Sequence, residues 1–427
     1  MKTVTLQAPQ YAREVMAPTS KSAAHRALIA AAFADTQTVI RMHLSCADID
    51  ATADCLIALG AKITRKEGTL TVTPVARDRV IRGATLDCGE SGSTLRFLLP
   101  VCAALGANAT FLRRGRLPER PLGPLLDELK RHGLCAQEDG ALLKTTGLIT
   151  AGDYRVAANI SSQYITGLLF ALSLFDAPST LTLTGKVESA PYIDMTVAAL
   201  AQFGAKPTTS EQGEIFEIAG YAKQPLCSPG TLFPEGDFSG AAFPLALGAI
   251  GPHPVTVKGL SLPSLQGDSE ILSLLSRFGA KVTVDRDAVT VSPAPLYGIE
   301  IGAEQIPDLV PILSVVAAAA AGTTHITGAA RLRLKESDRL AAVSAFLRVM
   351  GANITEEEDG LLIVGTKKLN GGRIDACGDH RIAMSAAVAA ALTDEAVVIP
   401  NAACVAKSYP TFFEDVIFPT ETERSNI

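Results

Sequence analysis

The chain has 427 residues, 48% of them hydrophobic and 19% charged, with a net charge of −6. That length and apolar content can bury more than one sizeable core, so two domains are expected. The acidic balance argues against a nucleic-acid or anionic-membrane surface, and no apolar run approaches the roughly 18 residues of a membrane helix.

Residues Met1 to Val15 alternate polar and apolar and lack the hydrophobic stretch of a secretory leader. The cysteines (Cys46, Cys55, Cys88, Cys102, Cys135, Cys227, Cys377 and Cys404) form no CxxC pair and no metal-ligand spacing with the histidines. They read as reduced thiols of a cytoplasmic protein with no metal site.

Beyond the N-terminus the chain repeats itself roughly every 72 residues, the signature of stacked supersecondary units. A glycine closes an apolar helical stretch at Gly60, Gly133, Gly204, Gly279 and Gly351. Between these glycines lies a second family of Ala- and Leu-rich helical segments, near 21–34, 93–105, 162–175, 239–250, 308–321 and 381–392. Five marked units, plus one shared between the chain ends, make six.

Residues 237–292 show one unit in detail. Asp237 and Ser239 offer capping groups to the nearly all-apolar stretch Ala241–Ile250, which should be buried on every side. Pro254–Lys258 alternates like a strand. Ser269–Phe278 is amphipathic and ends at Gly279, suited to a left-handed C′ position. Lys281–Val284 and Ala288–Ser292 then read as a hairpin around Asp285-Arg286-Asp287. Each unit thus reads β-α-β-α-β-β, with an apolar inner helix and a two-faced outer helix. Three units per domain is the balanced split. It places one domain at 20–235 and the second at 1–19 plus 236–427, completed by the N-terminal strand. Such a division makes an interdomain cleft, a common ligand site.

The starts of the inner helices carry the chemistry. They read Thr19-Ser20-Lys21-Ser22, Glu90-Ser91-Gly92-Ser93-Thr94, Asn159-Ile160-Ser161-Ser162-Gln163, Glu235-Gly236-Asp237, Ile306-Pro307-Asp308 and Gly378-Asp379-His380-Arg381. Helix N-termini present unpaired N–H groups and partial positive charge, which suits phosphates and carboxylates. With Lys21, Arg26, Arg96 and Arg381 beside them, they point to a polyanionic small molecule. Two further segments, Arg331–Arg339 and the proline-stiffened Arg116–Pro121, concentrate arginine in an acidic chain, as gripping anions requires.

In order, Ser20-Lys21-Ser22 with Arg26, Gly92-Ser93-Thr94-Leu95-Arg96, Arg116 with Glu119-Arg120-Pro121, Ser161-Ser162-Gln163, Ser189 with Pro191-Tyr192-Ile193-Asp194, Glu235-Gly236-Asp237, Gln266-Gly267-Asp268, Ile306-Pro307-Asp308, Lys335-Glu336-Ser337-Asp338-Arg339, Asp379-His380-Arg381 and Ala406-Lys407 resemble the 5-enolpyruvylshikimate-3-phosphate synthase family. Any one triplet is weak, but the ordered series across nearly the whole chain is specific. The resemblance implies an α/β fold of two domains with three units each, of the inside-out α/β barrel type. It implies transfer of the enolpyruvyl group of phosphoenolpyruvate to the 5-hydroxyl of shikimate 3-phosphate, with release of phosphate and no cofactor. Asp308 is then the candidate base, while Glu336 and Lys21 are candidates for protonating C3 and assisting phosphate departure. Lys21, Gly92, Arg116, Gln163, Arg339, His380, Arg381 and Lys407 would bind phosphoenolpyruvate. Lys21, Ser22, Arg26, Ser161, Ser162, Gln163, Ser189, Tyr192, Asp308 and Lys335 would bind shikimate 3-phosphate. A monomer acting on small molecules is expected.

Some residues depart from the family pattern. Thr19 replaces a usual glycine, Ala24-His25 the common Ser-Asn, Glu90 a frequent asparagine near the phosphate pocket, and Arg331 a frequent asparagine. Glu90 should pair with an arginine or turn away. The family's inhibitor glyphosate should compete with phosphoenolpyruvate. Gly92 serves either space for a slightly longer ligand or a backbone with φ > 0. The related transferase acting on UDP-N-acetylglucosamine is the nearest alternative. It usually carries a cysteine in the loop matching Arg116–Pro121 and an asparagine after the lysine, whereas here that loop has no cysteine and Ser22 follows Lys21. A non-catalytic β/α-repeat scaffold would not need Lys21, Asp308 and Glu336 together.

Overall fold

A computed structural model describes residues 2–366 and 368–424. It divides into two compact units. The central unit runs from Lys21 to Pro234; the terminal unit joins the residues up to Ser20 with those from Glu235 onward.

Among the described residues, six four-stranded sheets repeat one pattern, three in each unit. In one of them Thr85–Asp87 pairs parallel with Thr110–Leu112. The latter lies antiparallel to Leu142–Gly147, which closes a hairpin with Leu134–Asp139. The parallel pair needs a crossover, and an inner helix supplies it. The inner helices are α1 (Lys21–Ala32), α2 (Gly92–Ala104), α3 (Ser162–Leu172), α4 (Phe238–Ile250), α5 (Val310–Ala319) and α6 (His380–Ala389). Their all-round apolar sequence has the expected consequence: α4 is buried at every residue from Phe238 to Ala249. In the terminal unit α4, α5 and α6 pack on one another. Each fully buried Leu or Phe there contributes about 1.5–3 kcal/mol.

The outer helices are amphipathic and end at the repeated glycines. Gly279 follows the helix Ile271–Phe278 at φ 116°, a left-handed position. A Cβ there would sit 2.4 Å from the carbonyl oxygen of Pro295, so the glycine meets a steric need as well as a conformational one. Gly60, Gly133, Gly204 and Gly351 likewise have positive φ.

Two short strands close their sheets from elsewhere in sequence. Thr231–Leu232, after the third repeat, pairs parallel with Thr38–Arg41 of the first. Glu14–Met16 pairs parallel with Val255–Lys258 of the fourth. The N-terminal strand Lys2–Leu6 lies between Val397–Ile399 and Glu421–Arg424 in the last sheet. Thr19, which stands where the family has glycine, forms an antiparallel bridge with Gly236 and has no positive φ, so a side chain fits. Among the described residues no helix is long and apolar enough to cross a membrane.

Candidate active site

In the central unit the functional candidates stand at the starts of α1, α2 and α3. Lys21, the first residue of α1, places Nζ 2.9 Å from Asp48 Oδ2. One turn later Arg26 is only 2% exposed. Its guanidinium donates to Ser22 O (2.7 Å), Tyr192 O (2.7 Å), Thr196 Oγ1 (2.9 Å) and Thr166 Oγ1 (3.3 Å). It also lies over the Phe97 ring. Arg26 therefore ties α1 to α2, α3 and the outer helix Ala190–Gln202. Four of its five N–H donors are taken up in this way among the described residues.

Ser161 caps α3, its hydroxyl accepting from Gln163 N at 3.3 Å. Gln163 in turn reaches α2: its Nε2 donates to Ser93 Oγ (3.0 Å), and its Oε1 accepts from Arg96 Nη1 (3.3 Å). Arg96 also donates to Pro121 O at 2.8 Å, anchoring the Arg116–Pro121 loop. Ser189 precedes its helix at φ 56°, ψ 40°, a left-handed conformation that non-glycine residues adopt at a cost and that recurs at ligand sites. Ser162, which follows Ser161, is buried as the first residue of α3, Tyr192 is half-buried, and Arg116 is exposed with its Nε 3.3 Å from Glu119.

Gly92 opens α2 behind its cap Ser91. Its φ is not positive, which removes the conformational explanation offered above. A Cβ there would lie 2.6 Å from Arg96 Nη1 and 2.9 Å from Arg120 Nη1, so two guanidinium groups take the space a side chain would need. The absent side chain lets two guanidinium groups converge on a helix N-terminus. The Glu90 carboxylate packs over Gly115, where a Cβ would come within 2.4 Å of it.

In the terminal unit one arginine organises the cluster. Arg339, 1% exposed, donates to Asp308 Oδ1 (2.7 Å), Glu336 Oε2 (2.9 Å) and Asp379 Oδ2 (2.8 Å). Asp308 stands in the short turn Pro307–Leu309 that leads into α5. Its other oxygen accepts from Arg381 Nη2 at 3.0 Å, and Lys335 Nζ lies 3.6 Å from Oδ1. Lys407 Nζ lies 3.8 Å from Glu336 Oε1. Burial alone would raise the Asp308 pKa, but Arg381, Lys335 and Arg339 outweigh it and hold the carboxyl well below its ordinary range. Burial pushes the Lys335 ammonium down to about 8. The segment Arg331–Arg339 divides by role. Arg333 pairs with Asp338 and Glu356, and Arg331 donates to Glu304 O at 2.8 Å.

The motif residues Asp379 and Asp268, though visible in the sequence, carry more than their spacing suggested. Asp379 caps α6 by accepting from Arg381 N (3.0 Å) and receives Ser337 Oγ (3.1 Å) as well as Arg339. The buried His380 places Nδ1 3.7 Å from it. Asp48, the partner of Lys21, belonged to no motif. Asp268 is 1% exposed; it accepts from Ser239 Oγ with one oxygen, and the other has no hydrogen bond among the described residues. Burial, then the charge of Asp308, raise its pKa to about 7 against the opposing effects of Arg381 and Ser239. An acid whose pKa is raised on folding binds more protons folded than unfolded between about pH 4 and pH 7, so stability falls as pH rises through that window. Asp268→Asn should remove this loss. The variant's stability relative to wild type should therefore improve by roughly 1–4 kcal/mol from about pH 4 to pH 8 in urea titrations. A difference independent of pH would contradict the assignment. Among the described residues no group of His, Cys, Asp and Glu is arranged to hold a metal ion.

Comparison with known proteins gives consistent matches. The family model for EPSP synthase (3-phosphoshikimate 1-carboxyvinyltransferase) matches residues 7–416. The 3-phosphoshikimate 1-carboxyvinyltransferase of Clostridium kluyveri is 39% identical over 419 residues, covering 97% of this chain and 96% of that one. The same enzyme of Clostridium beijerinckii is 40% identical over 412 residues, 94% of each chain. An EPSP synthase structure from Acinetobacter baumannii superposes with a TM-score of 0.81 at 26% identity, covering 99% of this chain and 100% of that one.

Proposed function

The chain belongs to the EPSP synthase family, and on that premise we infer that it transfers the enolpyruvyl group of phosphoenolpyruvate to the 5-hydroxyl of shikimate 3-phosphate. Inorganic phosphate is released. The reaction is a step of the shikimate pathway toward chorismate and the aromatic amino acids.

The chemistry is addition followed by elimination. The acceptor hydroxyl gives up its proton as its oxygen bonds to C2 of phosphoenolpyruvate, while C3 takes up a proton. C3 then loses a proton and the C2–O bond to phosphate breaks, restoring the double bond. Asp308 is the proposed base for the hydroxyl. Glu336 and Lys21 are proposed for the proton at C3 and for the departing phosphate. The observation that carries this reading is the cluster around Asp308: one carboxylate held ionised by Arg339, Arg381 and Lys335. An anionic substrate competing for those cations withdraws positive charge from Asp308 and raises its proton affinity, as a base requires.

Phosphoenolpyruvate is assigned to Lys21, Gly92, Arg116, Gln163, Arg339, His380, Arg381 and Lys407. Shikimate 3-phosphate is assigned to Lys21, Ser22, Arg26, Ser161, Ser162, Gln163, Ser189, Tyr192, Asp308 and Lys335. We infer in addition that the protein acts as a cytoplasmic monomer. Phosphorus NMR of a mixture with both substrates tests it: one inorganic phosphate should appear per phosphoenolpyruvate consumed, with the phosphate on the acceptor retained. Consumption without inorganic phosphate would refute it.

Gly92→Ala should discriminate between ligands. The new methyl meets only the guanidinium ends of Arg96 and Arg120 and strains no backbone, so thermal stability should change little. Glyphosate, the longer ligand, should lose roughly tenfold or more in affinity, and the KM for phosphoenolpyruvate should rise less. Equal losses for both would show that Gly92 does not set ligand length. The factor expected corresponds to about 1.4 kcal/mol.

A further inference from the structure

His25 departs from the family pattern and took no part in the chemistry above, yet it sits at the head of a buried polar chain. His25 Nδ1 is 2.7 Å from Thr52 Oγ1. Thr52 Oγ1 is 2.7 Å from Thr94 Oγ1. Thr94 Oγ1 is 2.8 Å from Ser91 Oγ. All four residues are fully buried. Ser91 is the cap of α2, accepting from Thr94 N at 3.2 Å, and Gly92 follows it.

We propose that His25 is a positioning residue for the phosphoenolpyruvate pocket, acting through Thr52, Thr94 and Ser91 on the start of α2 at Gly92. The inference rests on the assignment of Gly92 to that pocket.

The direction of the chain follows from proton counting. Each hydroxyl donates once. If Ser91 accepts from Thr94, then Thr94 accepts from Thr52 and Thr52 accepts from His25 Nδ1–H. The opposite direction would put the ring proton on Nε2, which is buried and has no hydrogen-bond partner among the described residues. A buried N–H without an acceptor is the rarer and costlier defect. The ring is therefore the Nδ1–H tautomer. Burial lowers its pKa to about 3 despite the nearby Asp48, so it stays neutral across the working pH range. Phe97 meets the ring edge-on and fixes its plane. The chain links α1 and the outer helix Ala47–Ala58, whose residues Lys21 and Asp48 form an ion pair, to α2. The helix start where Arg96 and Arg120 converge is thereby held in register with Lys21.

His25→Leu and Thr52→Val break the chain from two different helices, and the second is nearly isosteric. Each should raise the KM for phosphoenolpyruvate roughly 3- to 10-fold, the worth of one hydrogen bond, with kcat and the KM for shikimate 3-phosphate within about twofold. The double variant should match either single one, because both cut the same path. His25→Asn, whose amide can donate to Thr52, should restore the KM. An unchanged phosphoenolpyruvate KM in Thr52→Val, or multiplicative losses in the double variant, would overturn the proposal. Nitrogen NMR of His25 is a readout independent of activity: a proton on Nδ1 is expected, and one on Nε2 would overturn it. A wild-type chain with no turnover would instead strike the proposed function, leaving the tautomer result to stand.

Discussion

Asp308→Asn should lower kcat by roughly 10²–10⁴-fold, the usual contribution of a general acid–base group, with smaller changes in KM. Steady-state kinetics with both substrates varied checks this. The amide can still accept a hydrogen bond from Arg339 or Arg381, so the cluster keeps its shape while losing the group that takes the proton. Glu336→Gln should behave similarly if it handles the proton at C3. A loss confined to KM would make Asp308 a binding group and leave the reaction without its base.

Arg339→Met should have the largest effect on stability. The guanidinium is bonded to Asp308, Glu336 and Asp379, and its own pKa is raised by those three carboxylates against the opposing effect of burial. Removing it leaves buried carboxylates without their shared cation, a change that typically costs about 3–5 kcal/mol. Unpaired carboxylates would be protonated more readily in the folded variant. The penalty should therefore be greatest near neutral pH and shrink as pH falls toward about 4, where they can neutralise. Urea titrations at two pH values measure it. A loss below about 1 kcal/mol at neutral pH would show that the cluster tolerates its own repulsion. Arg339→Lys should rescue only part of the loss, because a compact ammonium cannot bridge three carboxylates in a plane.

Much of the fold was legible because its signals are local and repeated. The five glycines mark left-handed helix ends, and the inner helices announce themselves by being apolar on all faces. Asp237 reads as a cap and accepts from the backbone two residues on, whereas Ser239, read with it, is the second residue of the helix itself. What escaped were Thr231–Leu232 and Glu14–Met16 as sheet-closing strands. Runs of two or three residues carry no period, and their partners lie far away in sequence.

The candidate site was legible as a set of charges rather than as a network. Spacing alone could not show that Arg339 serves three acids, that Arg333 is occupied by Asp338 and Glu356, or that Lys21 pairs with Asp48. Asp48 lies within an ordinary amphipathic helix, and nothing in its flanks distinguishes it from the half-buried Asp50 or the exposed Asp54. Gly92 was ambiguous for the opposite reason: glycine records that something must be close or strained, but not which. The guanidinium groups of Arg96 and Arg120 decide it.

The initial rate of phosphate release from phosphoenolpyruvate, with each acceptor in turn, tests the acceptor most directly. Shikimate 3-phosphate should support turnover that saturates in both substrates, and UDP-N-acetylglucosamine should support none above background. Release driven by UDP-N-acetylglucosamine, or none with shikimate 3-phosphate, would contradict enolpyruvyl transfer to shikimate 3-phosphate.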